Sequence, residues 1–358
     1  LPAASVDADD SSTASKDTDD DDCDDDCIQS ETITAPGDAN RPAARASNQR
    51  NRGVDEEDDD DEDADVPTAP AYIMAAPGVD TRFSYYGDTE GNLTLTSTSR
   101  ATSMLDDVLV QLRQDAIWAR DAFGTQRVES RTVSAYQNLS EQFGIGGSFG
   151  FVRAERWSAF AGSLMATENI GDATVALNVT RGLVGGTAQA IRDHVMQTDF
   201  GLAFSNDFTS NLSAELNFHH KLYSDGNNSD DFLFSPQYEF ALGQSKLALG
   251  YGVAYQSFAT SDDHGYYAPR RLLSNGLTGT WKFDRNNYYG NVETWAGYSN
   301  IKGASAVTGA TGSGMNGSVL ATWGLRPGKA TLVESFWSSE WCPGWSSTSL
   351  GLRVQYTF

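Results

Sequence analysis

The stretch Ser349-Leu350-Gly351-Leu352-Arg353-Val354-Gln355-Tyr356-Thr357-Phe358 alternates large apolar residues with polar or small ones. A strand points successive side chains to opposite sides, so Leu350, Leu352, Val354, Tyr356 and Phe358 share one face. Ser349, Gly351, Arg353, Gln355 and Thr357 share the other. The same split recurs upstream. Leu212, Ala214, Leu216 and Phe218 oppose Ser213, Glu215, Asn217 and His219, and Phe200, Leu202 and Phe204 oppose Asp199, Gly201, Ala203 and Ser205. Leu247, Leu249, Tyr251, Val253 and Tyr255 oppose a face of Lys246, Ala248, Gly250, Gly252 and Ala254.

Alternation alone fits two folds. In a soluble sandwich the apolar face is the core; in a membrane barrel it meets lipid and the polar face lines a lumen. Strand count and punctuation favour the barrel. Sixteen segments with turn residues between them centre near 85, 95, 113, 131, 148, 162, 177, 199, 217, 236, 251, 277, 294, 320, 335 and 352. An even number of short strands in a meander is the pattern of a transmembrane up-and-down β-barrel. Aromatic residues gather near strand ends (Tyr85 and Tyr86, Tyr266 and Tyr267, Tyr288 and Tyr289, Trp337, Trp341 and Trp345), where interfacial girdles place them. The expectation is an all-β, antiparallel barrel over residues 80–358.

The rest of the chain has a different character. Of 49 acidic and 25 basic residues, residues 1–66 hold 23 acidic and five basic ones. Large apolar residues are scarce there, and like charges repel, so residues 1–79 are expected to be a disordered acidic segment on the periplasmic side. A net charge of −24 disfavours nucleic acid as a partner, because phosphate contacts need clustered cations. Three cysteines exclude a disulfide-stapled scaffold. Cys23 and Cys27 bracket three aspartates, but two thiols do not make a zinc site, and no regular calcium loop surrounds them. The expected reading is a solvated linker, with a local disulfide if the thiols oxidise. No metal and no cofactor are expected.

The terminal run ending Val354, Tyr356 and Phe358 resembles the assembly signal of bacterial outer-membrane barrels, which implies the barrel-assembly machinery as a partner. Further motifs sharpen this. Thr198-Asp-Phe-Gly-Leu-Ala-Phe, Leu222-Tyr-Ser-Asp-Gly-Asn-Asn, Phe234-Ser-Pro-Gln-Tyr, His264-Gly-Tyr-Tyr-Ala-Pro-Arg and Tyr288-Tyr-Gly-Asn-Val are similar to the carboxy-terminal barrels of exopolysaccharide export proteins. These are the cellulose and poly-N-acetylglucosamine export type. The resemblance covers residues 80–358 and implies a sixteen-stranded pore for a synthase-made polysaccharide in the bacterial outer membrane. In that family a helical-repeat array precedes the barrel. No such repeat precedes residue 80 here, so the resemblance implies a separate periplasmic scaffold protein, or another use of the barrel.

Residues on the polar faces of the best strands are the lumen candidates: Asp199, Glu215, Asn217, His219, Lys221, Lys246, Gln256, Arg353 and Gln355. Their signs are mixed, without the cationic bias an anionic polymer would call for. A sliding polymer needs weak, repeated contacts rather than one tight site. Enzymatic chemistry is not expected, since His194, His219, His220 and His264 are scattered and His219 and His220 face opposite ways. Residues 183–197 fit either a short helix, with Ala190, Ile191 and His194 at helical spacing, or a loop feeding a strand. The alternative to polysaccharide export is a passive or solute-selective porin.

Overall fold

A computed structural model describes residues 77–89, 91–122, 124–155, 157–184, 187–261, 266, 268–285, 287–303, 313–328, 330–342 and 345–358. Most of the acidic segment, Cys23 and Cys27, His264 and Tyr267 lie outside the described residues, as do the side chains of Cys342 and Trp345. Seven strands come first: β1 (Gly78–Asp88), β2 (Leu93–Leu105), β3 (Val108–Asp121), β4 (Gly124–Asn138), β5 (Phe143–Ala154), β6 (Trp157–Ile170) and β7 (Ala173–Leu183). A one-turn helix, α1 (Ala188–Arg192), follows. Then come β8 (Met196–Asp207), β9 (Leu212–Tyr223), β10 (Asn228–Leu242), β11 (Ser245–Phe258) and β12 (Arg271–Arg285). The last four are β13 (Tyr288–Lys302), β14 (Ser313–Gly328), β15 (Thr331–Cys342) and β16 (Trp345–Thr357). Each expected strand centre falls inside one of these strands.

Every strand pairs antiparallel with its neighbour in sequence, and β1 closes on β16 from Gly78↔Thr357 to Asp88↔Ser347. Closure matters because a bilayer offers no water to an unpaired N–H or C=O, and a closed barrel has no edge. Strands of 11 to 16 residues exceed the roughly 9–11 that a tilted strand needs to cross the hydrocarbon.

The polarity is inverted relative to a soluble protein. Leu164, Leu277 and Phe149 are 68%, 67% and 58% exposed, whereas Gln111, Asp115 and Asp199 are at most 1% exposed. Leaving so many large apolar side chains in water would be unfavourable by about 25 cal/mol per Å2 of apolar surface. The outer face is therefore a lipid-facing one. The apolar faces read from the sequence on β8, β9, β11 and β16 all lie outside.

The two ends differ. At the end where β1 begins and β16 finishes, connections are two or four residues long, for example 106–107, 171–172 and 243–244. Gly171 and Gly243 adopt φ of 60° and 64°, with nothing within 4 Å of a would-be Cβ, so it is the left-handed turn rather than crowding that calls for glycine. At the opposite end three connections are long: 184–195, 259–270 and 303–312. Both readings of residues 183–197 hold part of the truth. Thr187 caps α1 by accepting from the Ala190 amide at 3.1 Å, and β8 starts two residues after His194, which sits at φ 57°.

Candidate functional site

The strand registers fix which side chains line the lumen. Asp199 pairs with Lys221, His219 with Asp231, and Glu215 with Ser205, all on the inner face of β8–β10. Asn217 lies between His219 and Glu215 on that face. Gln256 and Lys246 face inward from β11, opposite Leu272 and Lys282. Arg353 and Gln355 face inward from β16, opposite Arg82 and Asp80. These nine residues do not converge on one spot. They occupy three sectors of the wall and differ in height.

Several cations on this wall are paired with carboxylates of nearby residues. Arg113 Nε lies 2.9 Å from Asp115, a buried carboxylate that also accepts from Thr98 at 2.7 Å and Ser130 at 3.3 Å. Arg353 Nε reaches Asp80 at 3.0 Å and its Nη2 donates to Gln355 at 2.9 Å. Lys221 pairs with Asp231 at 2.6 Å and Arg326 with Asp284 at 2.6 Å, while His219 Nδ1 shares a hydrogen bond with Asp199 at 3.0 Å. Removing one partner would strand a charge against the wall, so such ladders hold the lining rigid and mute its charge. Carboxylates still outnumber cations on the inner face. Asp80, Asp115, Asp199, Asp207, Glu215, Asp231, Glu239, Asp284, Glu293, Glu334 and Glu340 stand against Arg82, Arg100, Arg113, Lys221, Lys246, Lys282, Arg326 and Arg353. The mixed signs expected from the sequence thus carry an acidic bias among the described residues of the inner face.

Near the long-loop end the inner wall of β3–β6 turns apolar. Ile117, Ala119, Val128, Val152, Ala154 and Ala161 form one buried cluster with Leu183, Met196 and α1 residues Ala188 and Ile191. The connection 184–195 therefore leaves β7 and packs inside the mouth against β3 and β4. Asp121 Oδ2 anchors it by accepting from the Gln189 amide at 2.9 Å, and Trp157 stacks on His194 at 4.6 Å. The other side of the same connection, through Val184, Ala190 and Val195, meets Tyr223, Phe258, Tyr266 and Ala268. Tyr266 belongs to the connection 259–270. It donates to Asp225 at 2.9 Å, and burial pushes its phenol well above the ordinary tyrosine range. Described residues of two connections, Ala188 to Val195 and Tyr266 with Ala268, thus pack inside the mouth.

Elsewhere the wall is flattened by rings laid over glycines. A Cβ on Gly252 would overlap the indole of Trp295, one on Gly351 would overlap the Phe336 ring, and one on Gly324 the Tyr289 ring. Arg82 lies 4.6 Å over the Phe336 ring, and Tyr289 donates to Glu334. Tyr86, Tyr289, Trp295 and Phe336 are lumen residues that the sequence reading did not nominate. Tyr86 and Tyr289 were expected in lipid-facing girdles, and the structure corrects this. Adjacent strand residues alternate, so Tyr85 and Tyr288 face outward while their neighbours face inward. Tyr266 sits in the mouth rather than in a girdle. Trp337 and Trp341 do face outward.

The outer face also has polarity along the barrel axis. Arg120, Arg127, Arg153, Arg181, Arg271 and Lys302 point outward, exposed, close to the long-loop end. At the end where β1 begins the corresponding outward cation among the described residues is Arg285.

No protein-family model matches the chain, and no curated protein matches it in sequence. The structure is similar to a solved one described as a bacterial polysaccharide outer membrane secretin, with a TM-score of 0.65 and 10% identity over 78% of this chain and 98% of that one. A looser likeness, TM-score 0.44 at 12% identity, joins it to OccK3 (OpdO) of Pseudomonas aeruginosa, over 79% and 95% of the two chains. At 10% identity the feature shared with the first of these is the β-barrel fold.

Proposed function

We propose that this barrel is the outer-membrane exit pore for a secreted polysaccharide, fed from the periplasm by a helical-repeat scaffold protein and an inner-membrane synthase. The observation that carries the proposal is the lining: several inward cations held in ion pairs, rings lying on glycines, and hydroxyl and amide side chains between them. Such a wall offers many weak contacts and no trap, which is what a sliding chain of sugars requires. The fold shared with a polysaccharide secretin supports the same reading. The acidic bias of the wall favours a neutral or cationic polymer over a polyanion.

The barrel stands with the start of β1 and the finish of β16 toward the periplasm. Long connections lie outside in barrels of this type, and the exposed rim of arginines at that end suits anionic headgroups of the outer leaflet. Residues 1–79 then extend from the periplasmic end of β1. Outward-facing Val354, Tyr356 and Phe358 are assigned as the signal read by the barrel-assembly machinery.

The proposal is tested by deleting the gene and measuring sugar outside the cell and sugar held in the periplasm. Loss outside with accumulation within, reversed by the restored barrel, is the expected result. Unchanged export would leave a solute-selective porin, which the inward-folded mouth connections also fit.

A further inference from the structure

Trp295 stands apart among the lumen rings because its setting is built rather than incidental. Its indole crosses from β13 over β12 to β11, above a lateral row of glycines, Gly252↔Gly276↔Gly297, set by the strand registers. A Cβ on Gly297 would come within 2.9 Å of the indole nitrogen, and one on Gly252 would overlap the ring. The glycines therefore let the ring lie against the wall. A polar relay fixes its rotation. Trp295 Nε1 donates to Asn316 Oδ1 at 3.2 Å, and Asn316 Nδ2 donates to Ser299 at 2.6 Å and to Ser274 at 3.1 Å. Ser299 donates in turn to Ser274 at 3.0 Å, and both serines are buried. Every hydrogen bond of the relay runs within the wall, and the indole is only half-buried. What it presents to the lumen is an aromatic surface.

Beside that surface, Glu293 faces the lumen two residues away on β13, held by Asn291 Nδ2 at 2.5 Å. A fixed aromatic plate with an acceptor beside it matches a pyranose ring. The axial C–H face of the sugar lies on the ring and a hydroxyl donates to the carboxylate, a mixture of apolar and directed polar contact suited to small concave sites.

We infer that Trp295 is a pyranose-stacking platform on the lumen wall, with Glu293 as its hydroxyl acceptor, taking uncharged sugar units of the passing chain. This rests on the reading of the barrel as a polysaccharide pore and adds the place and mode of contact.

The test uses the full chain in planar bilayers with soluble cellohexaose and maltohexaose added on one side, scored by the residence time of current blocks. The wild-type pore is expected to show resolved blocks. Trp295→Ala should shorten them by about tenfold, the loss of one good aromatic contact. Trp295→Phe should stay within about threefold of wild type. Heat-modifiable migration in SDS gels confirms that each variant is a folded barrel. Blocks of equal length in wild type and Trp295→Ala would overturn the platform while leaving a sugar-passing pore. A wild-type pore that neither sugar blocks would overturn the platform and count against the polysaccharide reading as well. If Trp295→Ala does not fold, Glu293→Gln decides: shortened blocks support the platform, and blocks of wild-type length overturn it.

Discussion

Two sectors of the same wall obey one alternation rule and reach opposite surfaces. On β3–β6 near the mouth the inward positions are Ile117, Ala119, Val128, Val152 and Ala154, and a connection of the chain covers them. On β11–β16 most inward positions are small, hydroxyl, amide or charged residues, with Trp295, Phe336 and Tyr289 laid over glycines. What an inner face carries thus depends on what it touches. A wall against protein is packed like a core, and a wall against water or cargo is polar and smoothed. The barrel therefore has a part covered by its own chain and a part left facing the lumen.

The comparison is broken most directly by uncovering the first sector. Replacing residues 184–195 with a two-residue Asn-Gly turn should leave β7 and β8 paired, because their register from Ala173↔Asn206 to Leu183↔Met196 does not use the connection. Single-channel conductance should rise by about twofold or more, since the removed segment stands in the water path. An unchanged conductance would mean that the connection does not narrow the pore. The exposed inner patch of Ile117, Val128 and Val152 should also make the variant less soluble in mild detergent.

Much of this architecture could be read from the chain. Period-two alternation identifies all sixteen strands because lipid on one side and water on the other leave a strand no freedom of register. The mouth was harder to read. Its signal is a local failure of alternation, as in Ala116-Ile117-Trp118-Ala119 and Ala159-Phe160-Ala161, where both faces turn apolar. Such runs say that the inner face is covered without saying by what, because packing between a connection and a distant strand leaves no spacing in the sequence. The rings failed for another reason. Tyr288 and Tyr289 look like one interfacial pair until the register with β12 puts one on each face. Gly252, Gly276 and Gly297 read as ordinary small wall residues, and only the registers join them into one row beneath Trp295.

The second sector is probed from beneath its plate. Gly252→Val would place branched carbons where the indole now lies, so the ring must lift from the wall. Overpacking of this kind costs about 1–3 kcal/mol, which a closed sixteen-stranded barrel tolerates. Conductance should stay within about 20–30% of wild type, because a tilted ring closes little of so wide a lumen. Hexasaccharide blocks should shorten by about threefold to tenfold. The loop-deleted pore should show the opposite pairing of effects, with raised conductance and sugar blocks that still require Trp295. Block times unmoved by Gly252→Val would say that the flatness of this wall is not what holds a sugar.

The smallest expected effect lies where the covering of the mouth depends on one hydroxyl. Tyr266 donates to Asp225 of the β9–β10 turn at 2.9 Å and stacks on Tyr223 at 4.8 Å, holding its connection to the end of β9, where it packs beside Val184, Ala190 and Val195. Tyr266→Phe keeps the stack and removes the donor, leaving Asp225 short of one partner at a cost of about 1 kcal/mol. Brief openings should become about fivefold more frequent while the main conductance level stays the same. Because burial pushes the Tyr266 phenol above its unfolded value of 10.0, the folded mouth holds its proton more tightly than the free chain does. The contact is therefore fully present below about pH 10 and weakens as pH rises beyond it. Opening frequency in wild type should be flat from pH 7 to about 10 and climb above that, whereas Tyr266→Phe should lose the alkaline rise. A wild-type pore whose openings climb already near pH 8 would place the controlling group elsewhere and leave the two connections held by apolar packing alone.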